Sequence, residues 1–241
     1  MMKEKLHNKF LVNFLASDKK NAADIMEAGS GYVVPGIVSS NFETIEAAAA
    51  KVSELKTVSE VVSIGLGEGG NTANWKQVLE IAAASEAGHV NQPFEKAAYA
   101  KGFLDGSRPE NQLVNGLVQP TGERGKVRLA LTGITLCVEE FLDIASIFGL
   151  GSIKMMPMNG TEHLQELVYI TKAAEERGIR GVEPAGGIHA DNISEIISAV
   201  KDINIEFFMP HIFGSTIDKE TGKTIPHKVR EIFSAIEEGL R

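Results

Sequence analysis

Cysteine is almost missing from this chain: Cys137 is the only one among 241 residues. No intrachain disulfide can form, so a reducing compartment is expected. Positive charge is also scarce, with 24 Lys and Arg against 32 Asp and Glu and a net charge of -8. That balance, with no basic block, excludes a nucleic-acid partner of the ordinary kind. No uncharged run is long enough to span a bilayer, so no membrane partner is expected either. The chain opens with Lys3, Glu4 and Lys5 before the short run Phe10-Leu11-Val12. This lacks the hydrophobic segment of a secretion signal, and the expected location is cytoplasmic. Low-complexity tracts and interdomain linkers are missing, and no G-x-G-x-x-G follows an early strand.

What is present is a core-forming composition, 43% hydrophobic and 23% charged. It suits a single domain over residues 1–241. Short apolar or β-rich runs begin near Phe10, Val33, Val61, Gly88, Leu113, Val127, Gly151, Gly181 and Ile205. Helical patterns separate most of them, and connections are mostly short, which implies parallel strands with crossover helices. Counting from Val33 gives eight strands, so the expected fold is α/β, a (β/α)8 TIM barrel. Residues 1–31 are then an extra strand–helix element preceding the barrel. An open doubly wound sheet is the competing architecture. Cys137 lies in the apolar stretch Ile134–Val138 and reads as a buried, inert thiol.

The run Gly151-Ser152-Ile153-Lys154-Met155-Met156-Pro157-Met158 reads as a strand buried on both faces and interrupted by one lysine. Burial should lower the pKa of Lys154 and favour the neutral amine, which is the form that attacks a carbonyl. The plainer reading is a lysine whose head reaches solvent or pairs with a carboxylate. Two other strand ends stand out. Ala185-Gly186-Gly187 precedes a helix near Asp191, and Gly214-Ser215 follows the last strand. Adjacent glycines let backbone amides approach a ligand, and a helix N-terminus favours negative charge. Loops after strands seven and eight are the usual phosphate cradle of such barrels. Either pair alone also reads as a tight turn.

The set Lys154-x-x-Pro157, Pro184-x-Gly186-Gly187-Ile188 and Gly214-Ser215 resembles the 2-keto-3-deoxy-6-phosphogluconate aldolases. Val33–Val38 resembles the first barrel strand of that group. Over nearly the full length, including Gly88-His89-Val90-Asn91-Gln92 and Pro120-Thr121-Gly122, the chain is closer still to a divergent branch, the bacterial aldolases of glucosaminate breakdown. The resemblance implies a class I aldolase with a Schiff-base lysine on strand six, here Lys154. It implies phosphate held by Gly186, Gly187, Gly214 and Ser215, a sugar-acid phosphate substrate, no cofactor or metal, and a homo-oligomer. One feature of the main family is missing: its glutamate and, four residues on, arginine of the second strand are matched here by Ser63 and Gly67.

Another base is therefore required. Glu183 lies two residues before Ala185 and shares its face of the strand. It reads either as a proton-transfer partner of Lys154 with a raised pKa or as a structural ion pair. Glu68 is the rival base. Asn91 and Thr121, at or just after strand ends, are the better candidates for the substrate's carboxylate and hydroxyls, ahead of Gln92, Arg124 and Arg128. His89 and His211 read as core or supporting residues, and no metal-binding spacing recurs. Two other functions use the same phosphate loops without a lysine nucleophile: a barrel isomerase, epimerase or decarboxylase, and a non-catalytic sugar-phosphate sensor.

Overall fold

A computed structural model describes residues 4–107 and 112–241. Among these, ten strands occur: β1 Val12–Leu15, β2 Val33–Val38, β3 Val62–Gly65, β4 Gly88–Pro93, β5 Leu113–Gln119, β6 Lys126–Leu129, β7 Thr135–Cys137, β8 Ser152–Met155, β9 Gly181–Pro184 and β10 Phe207–Phe208. The α-helices are α1 Lys19–Ala28, α2 Ile45–Lys56, α3 Trp75–Ser85, α4 Phe94–Ser107, α5 Val138–Ile147, α6 Leu164–Glu176, α7 Ala190–Val200 and α8 Pro226–Leu240. Strands β1 to β5 and β8 to β10 pair in that order, all in parallel. The Leu11 amide donates to Phe208 O (3.2 Å), the Asn13 amide to Pro210 O (2.9 Å) and the Ile212 amide to Asn13 O (3.0 Å). These bonds join the first strand to the last and close the ring of a (β/α)8 barrel. Right-handed crossover helices are what parallel neighbours of this length require.

The eight ring strands are not the eight counted from Val33. β1 pairs with β2 from Val12↔Val33 to Leu15↔Gly36, so the strand in residues 1–31 is the barrel's first, not an extension before it. Val33–Val38 is accordingly the second. The run at Val127 leaves the ring and forms the hairpin β6–β7, which pairs antiparallel with the end of β5 at Val118↔Leu129. One strand gained and one lost kept the total at eight and left Lys154 on the sixth. Cys137, in edge strand β7, is exposed rather than buried. α4 has no counterpart in the sequence pattern because apolar residues lie on both its sides: Phe94, Ala97, Ala100 and Leu104 form the buried stripe, while Tyr99 and Phe103 are exposed.

Branched aliphatics dominate the ring strands, as burial on both faces demands. Val62, Ile64, Val90, Ile153 and Val182 are all fully buried. Polar residues interrupt them at alternate positions: Ser63, then His89 and Asn91, Asn115, Ser152 and Lys154, and Glu183. Side chains two apart share one face of a strand, so this set points into the barrel. No described helix is long and apolar enough to cross a membrane.

Candidate active site

A cavity of about 470 Å³ opens where β3, β8, β9 and β10 end. Its lining includes Lys154, His211, Glu68 and both glycine-bearing loops. This is the C-terminal face of the barrel, where such folds place their chemistry.

Lys154 projects from β8 to the cavity floor with only 6% of its surface exposed. Its Nζ donates to Asn91 Oδ1 (2.8 Å) and lies 3.2 Å from His211 Nδ1. Burial pushes the amine down from 10.5 to about 8, and the Glu183 charge opposes that fall. At pH 7 roughly one amine in ten is then neutral.

Glu183 is fully buried and its carboxylate accepts four hydrogen bonds. His89 Nε2 (3.0 Å) and Ser152 Oγ reach Oε1. Asn115 Nδ2 (3.0 Å) and His211 Nε2 (2.7 Å) reach Oε2. Burial is the largest influence and pushes its pKa up, but His89 and His211 outweigh it and hold the carboxyl well below the usual carboxylate range. The raised pKa expected from burial is therefore corrected. A carboxylate gripped by four donors is an anion with its lone pairs filled, and no direct ion pair joins it to Lys154. Asn91 and Asn115 complete the set: Asn115 Nδ2 donates to Asn91 Oδ1 (2.9 Å), and Asn91 Nδ2 donates to Ile64 O (2.8 Å).

The donor set fixes where both histidines carry their Nε2 proton. An ionised carboxylate only accepts, so Nε2 of His89 and of His211 each carry a proton. Nδ1 of His211 faces the Lys154 ammonium, a donor, and is bare. Ser63 Oγ hydrogen-bonds His89 Nδ1 (2.9 Å). Burial, followed by the Lys154 charge, pushes His211 down to about 3, so its ring is neutral. The facing atoms of His89, Glu183 and His211 lie within 4.8 Å of one another, the one such group among the described residues. Four internal donors occupy the carboxylate, leaving no lone pair for a cation.

The phosphate-loop candidates come together as the sequence pattern predicts. Gly186 (φ +97°) and Gly187 (φ +71°) adopt left-handed conformations that favour glycine. A Cβ on Gly187 would sit 2.5 Å from the Gly160 amide nitrogen. Ser215 Oγ donates to Ile188 O (3.3 Å) and ties the β10 loop to the β9 loop. Among the described residues, no protein acceptor engages the amides of Gly186, Gly187, Ile188, Gly214 or Ser215. All five border the cavity, Gly186, Gly187 and Ile188 just before α7 and Gly214 and Ser215 in the loop after β10.

Other candidates are dispersed. Asn91 is buried beneath the cavity and holds Lys154. Thr121 is turned away: its amide donates to Glu166 Oε2 (2.7 Å), so Glu166 of α6 clamps its loop. Arg124 lies over the Tyr169 ring at 5.1 Å, and neither it nor Arg128 borders the cavity. Gln92 donates to Trp75 O on the helix side (3.0 Å). Glu68 borders the cavity but is exposed and accepts from Asn71 Nδ2 (2.7 Å). Sequence reasoning missed the roles of Ser63, Asn115, Ser152 and His211. Their signal was a polar residue at every second position of otherwise apolar strands.

The 2-dehydro-3-deoxy-phosphogluconate aldolase of Salmonella typhimurium (strain 14028s / SGSC 2262) is 32% identical over 233 residues, covering 93% of this chain and 94% of its own. The solved thiamine phosphate pyrophosphorylase of Pyrococcus furiosus superposes with a TM-score of 0.62 at 13% identity, over 98% of this chain and 100% of its own. The phosphoribosyl anthranilate isomerase of Thermococcus kodakaraensis gives 0.59 at 11% identity, over 94% and 98%. These two share the barrel, and at such identity they speak to the fold alone. The KDGP aldolase family model matches residues 6–220, from the start of the ring past the β10 loop that borders the cavity. With a buried lysine at the barrel mouth and a curated aldolase along almost the whole length, the chain belongs to the KDGP aldolase family and is thereby a carbon–carbon lyase.

Proposed function

We propose that this aldolase is of class I, forming a Schiff base through Lys154, and that it cleaves a 2-keto-3-deoxy-6-phospho sugar acid to pyruvate and glyceraldehyde 3-phosphate. The observation that carries the reading is a buried, pKa-lowered amine on the floor of a cavity whose rim bears five unengaged backbone amides. Lys154 condenses with the C2 ketone. The iminium draws electrons from the C3–C4 bond as the C4 hydroxyl loses its proton and glyceraldehyde 3-phosphate departs. The enamine left behind takes a proton back at C3, and hydrolysis of the resulting iminium frees pyruvate. Amides of Gly186, Gly187, Gly214 and Ser215 hold the phosphate and fix the reacting carbons over the amine. The Salmonella relative's name supports the substrate class. A homo-oligomer belongs to the same proposal, and the exposed Tyr99 and Phe103 on α4 are compatible with one.

The test is pyruvate release from the phosphorylated substrate, with borohydride added in the presence or absence of pyruvate. Inactivation only when both are present is expected. Pyruvate release that survives both would point to carbon–carbon cleavage without a Schiff base. No turnover of any keto-acid phosphate would favour the sensor.

The phosphate loops give a separate expectation. A Cβ on Gly214 meets nothing within 4 Å, so Gly214→Ala should fold normally. A methyl group among the phosphate-holding amides should raise KM for the phosphorylated substrate by roughly tenfold or more, about 1.4 kcal/mol. Unchanged KM would move the phosphate elsewhere.

A further inference from the structure

We infer that His211 is the proton carrier of this site, its Nδ1 taking protons from Lys154 Nζ and delivering them to the departing C2 oxygen, while Glu183 is the positioning residue that keeps Nδ1 bare. The inference rests on the Schiff-base reading and assigns a proton carrier within it, since β3, the strand of Ser63, carries no carboxylate.

The geometry is a line of three groups. Lys154 Nζ is 3.2 Å from His211 Nδ1, and His211 Nε2 is 2.7 Å from Glu183 Oε2. Glu183 accepts four hydrogen bonds, is fully buried and does not border the cavity, so it cannot meet a substrate itself. His211 does border it, beside the lysine. His211 is faced by Lys154 from β8, Glu183 from β9 and His89 from β4, whose ring centroid is 5.9 Å away. Phe213 closes another side edge-on at 5.9 Å. The charge that resists protonation of His211, after burial, is that of Lys154. That charge leaves Nζ when the proton moves, and the Glu183 carboxylate is already in place to face the imidazolium.

The protons balance. Nδ1 takes one from the ammonium, and the free amine attacks C2, forming the N–C bond as the carbonyl pair moves to oxygen. That oxygen receives the proton from His211, giving the carbinolamine with two protons on Nζ. Nδ1 takes the second, the nitrogen pair expels the C2 oxygen, and the proton leaves with it as water. One proton stays on the iminium nitrogen. Two of the three ammonium protons thus end in water, and His211 is unchanged.

The test is the rate of borohydride trapping by saturating pyruvate in the wild type and in His211→Gln, across pH. Glutamine can still accept from Lys154 but cannot carry a proton. Trapping and turnover are expected to slow by roughly 10²- to 10⁴-fold, with Lys154 still the residue modified. Trapping of the variant at the wild-type rate and pH profile would overturn the relay while leaving the Schiff base standing. An untrapped wild type would overturn both. Nitrogen NMR of the wild-type histidines needs no variant: His211 should be protonated on Nε2 and bare on Nδ1, and a proton on Nδ1 would refute the assignment.

Discussion

Lys154→Met should lose at least roughly 10⁴-fold in kcat while remaining folded, since removal of a covalent nucleophile leaves only binding and positioning. Methionine has a similar length and no charge to bury. The drop of the amine from 10.5 to about 8 corresponds to about 3 kcal/mol against burying the cation. The variant escapes that cost, although His211 Nδ1 loses its donor, worth about 1–3 kcal/mol. The two nearly offset at neutral pH, so the pH dependence separates them. Because the folded pKa is depressed, the unfolded chain holds more protons between pH 8 and 10.5, and wild-type stability should rise with pH through that window. The difference from Lys154→Met, measured as denaturant midpoints, should show that rise. Measurable turnover in the variant would mean that another residue carries the chemistry.

Glu183→Ala should be the most damaging change to the fold outside the aliphatic core. It strands His89, His211, Ser152 and Asn115 inside the barrel with donors aimed at nothing. Removing one member of such a buried set costs roughly 3–5 kcal/mol, a large part of a domain's net stability. Glu183→Gln keeps the volume but places two N–H donors where only acceptors fit, and should cost less. The wild type carries an acid signature as well. With its folded pKa well below 4.5, Glu183 contributes stability that is complete above that value and is lost as pH falls. Glu183→Gln should lack this acid limb. A cost under about 1 kcal/mol for Glu183→Ala would show that the network is not structural.

The parts of this site that could be read from the sequence are those set by local rules. Lys154 stands out because a lone lysine in an apolar strand must be tolerated for a reason, and Gly186-Gly187 because left-handed backbone needs glycine. Strand order was harder to read. β1 is four residues long, and its place in the ring depends on bonds to Phe208 and Pro210, nearly 200 residues away. The β6–β7 hairpin has the same apolar look as a ring strand, and only its antiparallel pairing with β5 reveals it. Glu183 shows the limit for charge: burial argues for a raised pKa, and His89 of β4 and His211 of the β10 loop reverse it. His211 was hidden for the same reason, since its tautomer is set by a carboxylate 28 residues away in sequence.

The most direct test of the account is to reduce the wild-type protein with borohydride in saturating pyruvate and map the modified peptide by mass spectrometry. The prediction is a single pyruvate-derived adduct on Lys154 that forms faster as pH rises toward 8. An adduct on any other lysine, or none at all, would contradict it.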